Sequence, residues 1–80
     1  MTKIAIIEDD PVISQMYRTK FESDGFDVQL ANNGKRGVAL VEVFSPDIIL
    51  LDLQMPEMGG VKHSKLFEKT SGAKIFPLSF

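Results

Sequence analysis

Cysteine and tryptophan are absent from this chain of 80 residues, and tyrosine and histidine each occur once. Without cysteine there is neither a disulfide framework nor a thiolate metal centre. No apolar stretch approaches the roughly 20 residues needed to cross a bilayer, and the N-terminus runs directly into a strand pattern rather than an apolar targeting segment. No membrane partner is expected, and a cytoplasmic location is the plain expectation. Nor is there an excess of one charge: 9 basic and 11 acidic residues are interspersed and leave a net charge of -2. With no basic stripe, direct nucleic-acid binding is not expected. What is present, 44% hydrophobic and 25% charged residues, is the composition of an ordinary globular chain. At this length a fold buries only roughly 60% of the unfolded surface, so a single domain over residues 1–80 is expected.

Residues 3 to 7 read as a short continuous apolar strand, the pattern of a parallel strand covered on both faces. Asp10-Pro11 supplies an N-cap and a first-turn proline. The helix that follows carries Val12, Ile13, Met16, Tyr17 and Phe21 at near 3.6-residue spacing as its expected core stripe, and Gly25 stops it. Phe26, Val28 and Leu30 alternate with Asp27 and Gln29, as in a half-covered edge strand, and Asn32-Asn33-Gly34 leads into the next helix. That helix, with Val38, Leu40, Val41, Val43 and Phe44, ends before Ser45-Pro46. Residues 47 to 52 form the third strand. A loop over Met55 to Gly60 and a weaker helical pattern over Val61 to Lys69 follow. Ile75, Phe76 and Leu78 suggest a fourth strand, and Pro77 argues for an edge position. The order βαβαβαβ predicts the α/β class with a parallel sheet.

In such sheets, active groups gather at the carboxyl ends of the strands, near the switch in strand order. There the apolar run Ile4 to Ile7 breaks into Glu8-Asp9-Asp10, and Ile48-Ile49-Leu50-Leu51 closes on Asp52. If these two strands are neighbours, several carboxylates converge and a counter-ion is implied. Hard oxygen ligands with room for water suit Mg²⁺, and a carboxylate beside a metal is a known nucleophile that forms an aspartyl phosphate. Asp52 is the acceptor candidate, because no helix follows it for its carboxylate to cap. For Asp10, N-capping is explanation enough. His63, among charged neighbours, reads as a solvated histidine.

The blocks Ile6-Ile7-Glu8-Asp9-Asp10, Ile49-Leu50-Leu51-Asp52-Leu53-Gln54-Met55-Pro56 and Met58-Gly59-Gly60 resemble the receiver domain of two-component response regulators. The resemblance implies a flavodoxin-like parallel sheet in strand order 2-1-3-4. It implies a Mg²⁺-dependent phosphoacceptor at Asp52, with Glu8 and Asp9 as the acidic pair and the backbone carbonyl of Gln54 as a further metal ligand. The implied donor is a histidine kinase, a histidine phosphotransfer protein or a small phosphodonor.

Two departures accompany the resemblance. Gly59 stands where the family usually has Asp. The chain also stops in the fourth strand, giving a truncated three-layer sandwich without the fourth helix, fifth strand and fifth helix, and without the family's phosphoryl-contacting lysine. Phosphorylation is therefore expected to be impaired. Ser79 fills the switch-hydroxyl role if Phe80 is the residue that follows it; if Pro77 marks the strand's start, that position lies past Phe80. With strand four as a bare edge, Ile75, Phe76, Leu78 and Phe80 are expected to be covered by a second copy in a homo-oligomer. The competing function is a receiver fragment acting only through self-association. An Asp-nucleophile phosphohydrolase is disfavoured, since such enzymes want a second carboxylate two residues on and position 54 is Gln.

Overall fold

Strand β1 (Lys3–Ile7) lies at the heart of the sheet because almost nothing in it is polar: Ile4, Ala5, Ile6 and Ile7 are all buried. The computed structural model describes residues 1–52 and 72–78. The loop over 55–60, the helical pattern over 61–69, Gln54, His63, Ser79 and Phe80 lie outside the described residues. Helix α1 (Pro11–Ser23), β2 (Asp27–Ala31), helix α2 (Gly34–Phe44), β3 (Ile48–Leu51) and β4 (Lys74–Pro77) complete the described elements. The sheet order is β2-β1-β3-β4, with every pairing parallel. This is the order expected from the family resemblance.

The chain steps from β1 to β2 in one direction and then returns across β1 to β3. Crossovers of one hand therefore place α1 and α2 on opposite faces of the sheet. On one face Ala5, Ile7, Ala31, Ile49 and Leu51 pack with Val41, flanked by Val38, Leu40 and Phe44 of α2. On the other, Ile4, Ile6, Val28 and Leu78 pack with Tyr17 and Phe21 of α1. Alternation along β1 sends its side chains to the two faces in turn. Gly37 lets α2 approach closely: a Cβ there would stand 2.6 Å from Ile7 Cδ1.

Three packing expectations need correction. Val12 and Met16, read as core positions of α1, are 76% and 54% exposed, while Ser14 is buried. The apolar stripe of α1 is narrower than its composition suggests, and Tyr17 and Phe21 carry the contact. Val43 of α2 is likewise exposed. Leu78, expected to await a second copy, is buried within this chain against Ile4, Ile6 and Val28. Pro77 is the last residue of β4, paired in register with Leu51. The amides of Lys74 and Leu78 donate to the carbonyls of Asp47 and Leu51, so alternation turns residue 77 outward, where its missing N–H costs no ladder bond.

Candidate functional site

The ladder continues one residue past the strands and thereby sets the site. The Glu8 amide donates to the Ala31 carbonyl and the Asp52 amide to the Ile7 carbonyl, both at 3.0 Å. With Ile7 in register with Leu51, the residues that follow each strand emerge side by side. This is the switch point, where one connection leaves β1 leftward and the next passes to its right. Oxygens of Glu8, Asp9 and Asp52 lie within 4.8 Å of one another. Asp9 is exposed, Asp52 half-buried, and Glu8 only 2% exposed.

Glu8 is the unusual member. Its Oε1 accepts the Asp10 amide at 3.0 Å, whereas Oε2 is buried and has no hydrogen-bond partner among the described residues. Burial pushes the Glu8 carboxyl up to about 7 from an ordinary 4.5; the hydrogen bond from Asp10 opposes the rise, and the carboxyls of Asp9 and Asp52 add to it. Leaving a buried carboxylate oxygen unpaired is costly. A divalent cation held among these oxygens would remove that cost, and an all-oxygen donor set is what Mg²⁺ prefers. The residues present therefore fit such an ion.

Asp10 takes no part in the cluster. Its Oδ1 accepts the amides of Val12 and Ile13 at 2.8 and 3.3 Å and caps α1. The capping expectation for this residue is thus met. Gln54 and Ser79 lie outside the described residues.

A groove of about 370 Å³ opens beside the acids. Its lining includes Glu8, Asp9, Pro11, Leu30, Ala31 and Arg36. Sequence reading did not single out Arg36, because Asn33 and its neighbours read only as a helix entry. Asn33 does cap α2, accepting the Arg36 amide at 2.8 Å. Placing Arg36 near the acids needed the further knowledge that β2 lies beside β1. Among the described residues no helix is long and apolar enough to cross a membrane.

Comparison with known proteins converges on one family. The model of the response regulator receiver domain matches residues 4–79. The transcriptional regulator RpaA of Synechocystis is 45% identical over 60 residues, which are 75% of this chain but 25% of RpaA. This chain thus spans about a quarter of that relative's length. The Francisella response regulator 1452 receiver domain superposes with a TM-score of 0.82 at 31% identity, over 99% of this chain and 66% of that one. A chain from the complex of histidine kinase ThkA with the response regulator TrrA gives a TM-score of 0.79 at 25% identity, over 99% and 69%. Together with the sheet order and the acids at its switch point, these matches establish that the chain belongs to the family of response regulator receiver domains.

Proposed function

We propose that the chain is a phosphoacceptor module of a two-component phosphorelay, with Asp52 as the acceptor. A carboxylate oxygen of Asp52 attacks the phosphorus of a phosphohistidine, the P–N bond breaks, and its electron pair leaves with the imidazole as aspartyl phosphate forms. Glu8, Asp9, Asp52 and the backbone carbonyl of Gln54 would hold Mg²⁺, which would offset charge on the phosphoryl oxygens. Glu8, buried behind the exposed Asp9, orients the acidic pair through its bond from the Asp10 amide. The observation that carries this reading is the gathering of three carboxylates within 4.8 Å, one with a buried unpartnered oxygen, at the switch point of the sheet.

The partner in this reading is a histidine kinase or a histidine phosphotransfer protein. Support comes from the kinase complex to which one structural relative belongs. It also comes from Val12 and Met16, two exposed apolar residues on α1, the helix that starts just after the acids. The chain acts here as a signalling module rather than as an enzyme that turns over.

Incubation with Mg²⁺ and a small phosphodonor tests the reading. Intact mass should rise by one phosphoryl group, and the gain should vanish in Asp52→Asn or on chelation of the metal. Equal labelling of Asp52→Asn, or no labelling of the wild type, would sink it.

A second reading, self-association through β4, draws on Phe76, which is 47% exposed on a strand that pairs only with β3 among the described residues. An exposed apolar edge invites strand pairing. Light scattering at micromolar concentration should then give a mass above 8.9 kDa that Phe76→Lys returns to the monomer; a monomeric wild type refutes this reading.

A further inference from the structure

Only three residues, Glu8, Asp9 and Asp10, separate β1 from α1. The acidic pair and the helix cap therefore share one short connection. Asp10 uses its polar groups in two directions. Its Oδ1 accepts the amides of Val12 and Ile13, and its carbonyl accepts the Ser14 amide at 3.0 Å, so both are tied to the first turn of α1. Its amide turns the other way and donates to Glu8 Oε1 at 3.0 Å. The backbone of Asp10 is extended, with φ -85° and ψ 115°, and the proline that follows disfavours the helical alternative. Cap and proline together thus hold the amide that meets Glu8.

Glu8 is only 2% exposed. With Oε1 engaged, the buried Oε2, which has no hydrogen-bond partner among the described residues, is the oxygen that keeps its whole acceptor capacity. We propose that Asp10 is a positioning residue for the carboxylate cluster: through its amide, held in place by the α1 cap, it fixes the Glu8 carboxylate so that Oε2 is offered to a divalent cation. This rests on Glu8, Asp9 and Asp52 holding the cation of the phosphoacceptor reaction. Asp10 is not itself a ligand. Groups behind a metal's ligands orient them, and losing one typically weakens binding by roughly 10–100-fold. Coupling of this kind is reciprocal. A cation that favours one orientation of Glu8 should in turn steady the cap, and with it the first turn of α1.

Calorimetric titration with Mg²⁺ at one pH compares Asp10→Ala with Asp10→Asn. Both remove the same charge, but only Asn keeps a side-chain acceptor for the two amides. Asp10→Ala should weaken Mg²⁺ binding about tenfold, the lower end for a lost outer-shell partner, and Asp10→Asn should recover most of that loss. Asn33→Ala, which removes the cap of α2, should leave Mg²⁺ affinity unchanged and so separates positioning from a general loss of stability. Hydrogen exchange on the wild type needs no variant to fold: Mg²⁺ should slow exchange of the Val12 and Ile13 amides more than that of the Arg36 amide at the other cap. Equal weakening in Asp10→Ala and Asp10→Asn would trace the effect to charge. That result, no weakening in Asp10→Ala, similar weakening in Asn33→Ala, or unslowed exchange at Val12 and Ile13 overturns the proposal and leaves Asp52 as acceptor. A wild type that binds no Mg²⁺ overturns both.

Discussion

The two ends of the sheet treat charge in opposite ways. At the amino end, Lys3 and Asp47 satisfy each other: the Lys3 amide donates to Asp47 Oδ2 at 2.9 Å, and the Asp47 amide donates to the Lys3 carbonyl at 2.9 Å. The Lys3 ammonium donates to the Phe44 carbonyl at 3.1 Å and stands 5.4 Å from the centre of the Phe44 ring. It thus sits at the C-terminus of α2, where a cation is favoured. At the carboxyl end, three acids converge and one buried carboxylate oxygen has no partner among the described residues. The first arrangement is what stability alone would select. The second is unfavourable without a ligand, and that asymmetry locates function at the carboxyl end.

Glu8→Gln should break the contrast most strongly. Because the folded-state Glu8 carboxyl titrates at about 7 against an ordinary 4.5, the native state holds its proton more tightly than the unfolded chain between those values. The contribution to stability is complete below about 4.5 and is lost as pH rises through 7. Chelator-treated wild type should therefore lose on the order of 3 kcal/mol through this group on moving from pH 4.5 to pH 8. Glu8→Gln should remove that slope, as urea titrations at several pH values would reveal. An unchanged slope in the variant would mean that the two ends of the sheet do not differ in this way.

Mg²⁺ should oppose the same loss. At a tenfold excess over Kd, a ligand that binds only the folded state stabilises it by about 1.4 kcal/mol. The melting temperature at pH 8 should rise accordingly, and the rise should be absent in Asp52→Asn. At pH 5 the shift should be smaller, since Glu8 is then protonated.

The amino end offers the smallest effect. Asp47→Ala removes the acceptor of the exposed Lys3 amide and should cost about 1 kcal/mol with no change in the pH slope or in Mg²⁺ response. Were this variant to alter phosphoryl labelling, the division between a stabilising end and a functional end would fail.

How far these features were legible in the sequence depended on how local their causes are. The cap at Asp10 was readable because an acid before a proline meets the free amides of a first turn wherever that helix is placed, and Oδ1 accepts two of them. The core stripe of α1 was overdrawn at Val12 and Met16, which are exposed. Periodicity names the apolar residues of a helix but not the width of the surface it meets, and here α1 packs through Tyr17 and Phe21. Arg36 escaped notice because nothing within its own helix distinguishes it.

By itself the sequence determined the alternation of strands and helices, the burial of β1, and the presence of acids after its first and third strands. Those follow from periodicity, apolar runs and caps, each acting over a few residues. Tertiary structure alone decided that Glu8 rather than Asp9 is the buried acid. It also brought the three carboxylates within 4.8 Å and made Arg36 part of the lining of the groove that Glu8 and Asp9 also line. The physical reason is that ladder register between β1 and β3, and the placement of β2 beside β1, are set by packing of the whole sheet, which no single segment encodes.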